Sequence, residues 1–274
     1  MLKDWKLNTW LNRINKVEDY FIPIIENISK ENNIDNILSF NYARTVLCLK
    51  EIITLLKSGF PDGALTIART AYEFFIITKF IYKKYKTHDE NKLIERYFAS
   101  IEVKSYKNLK GLYSEMLEHY KKKNTENTQE TLQNRIENKI EYYNNILEEF
   151  KKKYGEIKND YWWAENELDA KSNFNEIKKD VSPDFMLHAL YKRACISIHA
   201  NAISPLELLG RDNKQKNILY TNQTYNGFEP VLLLGMLSHD NIVEIMCKHW
   251  NIKLSDVLSD MSKEYNDYAN NLDI

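Results

Sequence analysis

Residues 90–120 read ENKLIERYFASIEVKSYKNLKGLYSEMLEHY. Apolar side chains recur there every three or four positions: Leu93, Ile94, Tyr97, Phe98, Ile101, Leu109, Leu112, Tyr113, Met116, Leu117 and Tyr120. That spacing holds a single stripe of an α-helix for about eight turns. Upstream, Thr87 and Glu90 stand three apart, the spacing of a capping box, and predict where the helix opens. Downstream, Lys121 to Glu130 is polar and reads as a loop at a hairpin tip. A return helix is expected from about Gln129 to Lys153, with a narrow stripe of Leu132, Ile136, Ile140, Leu147 and Phe150. The expectation for residues 88–155 is therefore a long antiparallel helical hairpin. It would either project from the body as an arm able to bind a protein partner or pack as an ordinary bundle pair.

The same periodicity extends outward from this hairpin. Helices are predicted over about Asp4–Lys30, with Pro23 kinking or splitting the first, and over Asp35–Ser58 and Asp62–Tyr85. The turn Gly59-Phe60-Pro61-Asp62-Gly63 between the second and third is short, so those two should pack antiparallel. After the hairpin, Tyr161-Trp162-Trp163 falls in a less regular stretch. Ser182-Pro183 is a start signal for a helix running to about Asn201, and Ser204-Pro205 for a short helical turn ending near Gly210. Asn213 to Gly227 is expected as a loop, with Ile218-Leu219-Tyr220 the one place where a short strand would fit. Phe228–Trp250 and Ser255–Leu272 complete the set. The fold class expected is all-α: a single domain over 1–274, with a helical body formed by 1–87 and 160–274.

Composition agrees with long helices. Only 7 glycines and 5 prolines occur in 274 residues, too few for the turns of a sheet-rich fold. With 38 basic and 39 acidic side chains the net charge is −1, so no global field draws the chain to nucleic acid or membrane. Cys48, Cys195 and Cys247 are far apart and form no CxxC pair. Free thiols in a reducing compartment follow, and with no apolar segment at Met1–Trp5 a cytoplasmic protein is expected. Apolar runs are broken by charged residues, so no membrane span is expected. The six histidines show no HExxH or equivalent spacing, and no phosphate-binding glycine motif occurs. Neither a metal nor another cofactor is expected.

Two groups of residues could carry chemistry. Arg69 and Glu73 are four apart, hence on one helix face, among Ile67, Ala68, Ala71, Tyr72, Phe74 and Phe75. A charged pair in such company is either part of a site or an intrahelical ion pair that fixes packing. The second group is the run from Tyr191 to Asn201, in which Arg193 and His199 are separated by five residues. Tyr191, Cys195 and His199 step by four and share a face. The plain alternative there is a core histidine and a surface arginine. Trp162 and Trp163 could stack a base or cap the core.

Arg193-x5-His199 resembles the Arg-x(4–6)-His signature of the HEPN superfamily of helical nucleotide-binding proteins and ribonucleases. The resemblance implies a helical bundle, commonly a homodimer, cleaving RNA without metal, with His199 acting toward the ribose 2′-hydroxyl and Arg193 holding phosphate. A wider order resembles a widespread bacterial family, domain of unknown function 5677. It comprises Gly59-Phe60-Pro61-Asp62, Arg69-x3-Glu73, Trp162 or Trp163, then Tyr191-x5-Ser197-x-His199. It implies a shared polar site. The candidate catalytic residues are thus His199, Arg193, Glu73 and Arg69, and the candidate substrate contacts are Ser197, Tyr191, Asn201 and Trp163. The expected function is a metal-independent endoribonuclease or toxin-type effector in antiviral defence. The alternative is a non-catalytic helical protein holding a nucleotide or a protein partner.

Overall fold

The computed structural model of the chain describes residues 2–28, 33–86, 90–123, 128–168, 171–181, 183–198, 209–211, 217–219 and 228–253. Among these the protein is almost wholly helical. The helices are α1 (Leu2–Glu26), α2 (Asn33–Lys57), α3 (Pro61–Tyr85), α4 (Glu90–Lys123), α5 (Thr128–Tyr154), α6 (Phe174–Val181), α7 (Phe185–Ile198) and α8 (Phe228–His249). A short 3-10 helix spans Trp162–Glu167. Two three-residue strands, β1 (Leu209–Arg211) and β2 (Asn217–Leu219), pair antiparallel with Gly210 opposite Ile218. Residues 217–219, expected as part of a loop in which a strand would just fit, are therefore a strand, and its partner includes Gly210, where a helical turn was expected to end. Thr87, the Ser204-Pro205 signal and the predicted last helix from Ser255 lie outside the described residues.

Several element ends have identifiable causes. Pro23 neither splits nor ends α1 at once; it has no N–H to offer the carbonyl four residues back, and the helix stops three residues later at Glu26. Pro61 opens α3 at its first position, where a missing N–H costs nothing. The α7 cap is Asp184, whose Oδ1 accepts from Met186 N at 2.8 Å, so the helix begins two residues after the expected Pro183. The short helix α6 was not anticipated, yet Asn173 and Glu176 carry its signal. Asn173 Oδ1 accepts from Glu176 N at 3.1 Å.

The chain forms two compact units, residues 1–83 with 181–274, and residues 84–180. The stretch 160–180, expected with the body, belongs with the hairpin.

In the first unit α2 is central. Glu18 meets Lys50 and Asn8 meets Lys57, Asn41 meets Thr78 and Leu55 meets Gly63, Tyr42 meets His239 and Asp35 meets His249, so α1, α3 and α8 all run antiparallel to it. Gly235 lets α8 approach closely: a Cβ there would lie 2.9 Å from Ile52 Cδ1 and 3.0 Å from Leu49 Cδ2. Some polar groups on these helices pair with one another, while others, such as the Tyr42 hydroxyl, have no partner among the described residues. Arg13 donates to Asp240 at 2.7 Å, and Asp240 meets the buried His239 ring at 3.1 Å. Asp35 takes both His249 Nε2 and Trp250 Nε1 at 2.8 Å. By length and composition α8 could cross a membrane, but two thirds of that stretch is buried against its neighbours, as in a core helix.

The second unit is the α4–α5 hairpin with the 3-10 helix and α6. Only the first turns of the α4 stripe are sealed: Leu93, Ile94, Tyr97 and Val103 are buried, while Ile101 and Leu112 are exposed. Toward the tip, α4 and α5 pack on each other, and a seam between two helices covers only a narrow stripe. Rings fill the seam instead, with Tyr143 between Tyr106 and Tyr113. Gly111 leaves a groove of about 350 Å³ between the helices, lined by Lys107, Lys110, Asn144 and Leu147 among others.

Candidate functional site

The stretch from Arg69 to Glu73 is a turn of α3 whose buried side, Ala68, Ala71 and Tyr72, faces the core. Arg69 and Glu73 fall on the rim of that side, at 28% and 31% side-chain exposure. Arg69 Nε donates to Glu73 Oε1 at 3.0 Å. The pair is therefore neither a sealed core ion pair nor a freely solvated one.

From the other side comes α7. Tyr191 is buried and stacks on Tyr72, with ring centroids 4.6 Å apart and planes 29° from parallel. Its hydroxyl donates to Glu73 Oε1 across 3.4 Å, a long bond, and the Arg69 guanidinium stands 5.9 Å from its ring centre. One turn further along α7, Cys195 is half-buried and interacts with the Tyr191 hydroxyl and the Arg69 guanidinium. A guanidinium, a carboxylate, a phenol and a thiol thus converge from two helices.

The electrostatics follow from this crowding. Burial lowers the Arg69 pKa, but Glu73 and Tyr191 outweigh it and hold the guanidinium above its ordinary value. Burial pushes the Tyr191 phenol well up, helped by Cys195 and the Glu73 charge. Burial and then Cys195 do the same to Tyr72. Both phenols stay protonated, able to donate, at any ordinary pH.

Of the residues marked in the sequence, Arg69, Glu73 and Tyr191 come together. Arg193 does not join them: two positions past Tyr191 it is about 200° round the helix, and it is exposed. Ser197 lies in the last turn of α7, and His199 and Asn201 lie outside the described residues. Trp163 is a core residue of the second unit, buried with its ring edge-on to Tyr97 at 5.0 Å. Tyr72 and Cys195 were not singled out as site residues. Cys195 was within reach, because it stands four after Tyr191. Tyr72 was not, because nothing in its spacing distinguishes it from its aromatic neighbours.

Comparison with curated proteins and with solved structures finds no match. The family of unknown function DUF5677 matches over residues 35–217. That range is more than half of the 274-residue chain and contains Arg69, Glu73, Tyr191 and Cys195. Arg69–Glu73 and Tyr191, read from sequence as parts of one shared polar site, do meet in space, and the chain belongs to the family of unknown function DUF5677.

Proposed function

We propose that this protein is a metal-independent endoribonuclease whose site is the polar cluster where α3 and α7 meet. The observation that carries this is the half-exposed Arg69 guanidinium, fixed by Glu73 and backed by the Tyr191 ring. A cation held in place before the reaction, on an apolar wall, suits an oxygen of a phosphodiester on which charge develops. Glu73 sets the direction in which Arg69 points. His199, eight positions after Tyr191 in the sequence, takes the proton of a ribose 2′-hydroxyl. The 2′-oxygen then bonds to phosphorus while the bond to the 5′-oxygen breaks, and the departing oxygen takes up a proton. Arg193 supplies a second phosphate contact from the exposed side of α7, and Ser197 and Asn201, each two positions from His199 in the sequence, contact the substrate.

The wider account is a HEPN-like bundle acting as a homodimer in the cytoplasm, a toxin-type effector of antiviral defence. In it the α4–α5 hairpin is an arm that docks a protein partner. These elements rest on the resemblance of Arg193-x5-His199 and on the half-covered α4 stripe.

Total RNA incubated in EDTA with wild type, His199→Ala and Arg69→Ala tests the reading. The expected result is fragments ending in 2′,3′-cyclic phosphate, lost in both variants. Equal background from all three proteins would end it. A second reading, a non-catalytic helical protein that holds a nucleotide or a protein partner, is favoured by Arg193 lying away from Tyr191 and by the net charge of −1, which gives no general pull on RNA. It predicts no new RNA ends in any of the samples, with nucleotide binding lost in Arg69→Ala.

A further inference from the structure

The three cysteines occupy unlike surroundings. Cys48 and Cys247 are buried in α2 and α8, at 4% and 2% exposure. Burial, with Glu51 beside the first and Glu244 beside the second, pushes each thiol up to about 11. Both are poor nucleophiles, because it is the thiolate that reacts. Cys195 is the partly exposed one. Four positions after Tyr191, it lies on the same face of α7, beside the ring that stacks on Tyr72, and it couples electrostatically to Arg69 and Tyr191.

A second observation at the same place points to a missing acceptor. Tyr72 is 0% exposed, and its hydroxyl has no hydrogen-bond partner among the described residues. The group it senses electrostatically is Cys195. A buried hydroxyl with no acceptor is unfavourable unless something at the site supplies one. Thiol sulfur is a weak acceptor, whereas an oxygen bonded to that sulfur is a strong one.

We propose that Cys195 is a site of reversible oxidation by a peroxide, and that Tyr72 and Arg69 hold the oxygen it gains. The Cys195 thiolate attacks one peroxide oxygen. An S–O bond forms as the O–O bond breaks, sulfur gives up two electrons, and the second oxygen leaves as hydroxide, which a proton converts to water. The product is a sulfenic acid, the reversible first step of thiol oxidation. Its oxygen accepts from the Tyr72 hydroxyl and the Arg69 guanidinium. The modification shares Arg69 with the proposed RNA chemistry but does not require it. If RNA is cut there, the added oxygen competes with phosphate for Arg69, a consequence that rests on that reading.

The test uses the full chain and hydrogen peroxide, with dimedone to trap sulfenic acid and peptide mass mapping to locate it. The expected label is on Cys195, absent from Cys48 and Cys247, and abolished in Cys195→Ser. Adding dimedone at increasing delays measures the lifetime of the oxidised state. In Tyr72→Phe, checked for an unchanged helical spectrum, that lifetime should be about tenfold shorter, the factor equivalent to roughly 1.4 kcal/mol. No label on Cys195, equal labelling of the buried thiols, or a wild-type lifetime in Tyr72→Phe would each overturn the proposal. None of these readouts involves RNA, so the failure of one idea leaves the other standing.

Discussion

Tyr72 and Glu73 are neighbours in sequence with opposite circumstances. Glu73 sits at the rim and is served by Arg69 and Tyr191, while Tyr72 beneath it keeps a hydroxyl with nothing to donate to among the described residues. The orphan costs stability that the ring's packing on Tyr191 offsets. Tyr72→Phe should therefore raise unfolding free energy by about 1 kcal/mol, since it removes the orphan and keeps the ring. Urea denaturation measures this, and a loss of stability would show that the hydroxyl has a partner after all. The same phenols dictate the response to alkali. Tyr42, Tyr72 and Tyr191 are all pushed above their ordinary value of 10.0, by burial first. The unfolded chain releases those protons near pH 10 while the folded chain keeps them, so the unfolded state binds fewer. Their contribution is intact below about pH 10 and is lost as pH rises toward the folded values. Stability should fall between about pH 9.5 and 11 in wild type, and less steeply in Tyr72→Phe. Equal slopes would argue against the Tyr72 shift.

At the scale of elements, two glycines inside helices have opposite roles. Gly235 admits α2 against α8, and the side chains a Cβ would strike, Leu49 and Ile52, are wholly buried with little room to yield. Gly235→Ala should cost about 1–3 kcal/mol through overpacking. Nothing lies within 4 Å of a Cβ at Gly111 in α4, so Gly111→Ala should gain up to about 1 kcal/mol from helix propensity alone. Thermal melts of the two variants should move in opposite directions, and a shared direction would contradict the packing described. The sequence could not tell these glycines apart, because each sits in an apolar helical pattern and only the neighbouring helix differs. Element types, by contrast, were legible. The α3 range was expected to within one residue at its start and α5 to within one residue at its end, whereas α4 runs to Lys123, three residues into the expected loop. The short α6 escaped because eight residues carry only two turns of periodicity. The start of α7 was misplaced because Ser182-Pro183 and Asp184 are competing caps and only the backbone chooses between them.

At the scale of the whole molecule, residues 84–180 form a compact unit in which Tyr97 packs on Trp163 and Leu93, Ile94, Trp162 and Ile177 are buried. Arg96 adds a tie to the Trp162 carbonyl at 2.9 Å and lies 5.1 Å from that ring's centre. A fragment of residues 84–180 should thus remain helical and melt cooperatively on its own. A non-cooperative circular-dichroism melt would show that this unit is not self-sufficient. The hairpin was visible in the sequence from residue 90 onward, but its membership was not. That the 3-10 helix and α6 close over its base depends on contacts between residues far apart in the chain.

The sequence by itself determined that the chain is helical, where most helices lie, and that Arg69 and Glu73 share a face. Those properties follow from spacing along one element, where 3.6 residues per turn converts position into direction. Only the tertiary structure decided that Tyr191 completes that pair, that Cys195 and the buried Tyr72 hydroxyl adjoin it, and that Arg193 turns away. Which face of α7 meets α3 is set by how two separate helices fill space against each other, a quantity that no local pattern contains.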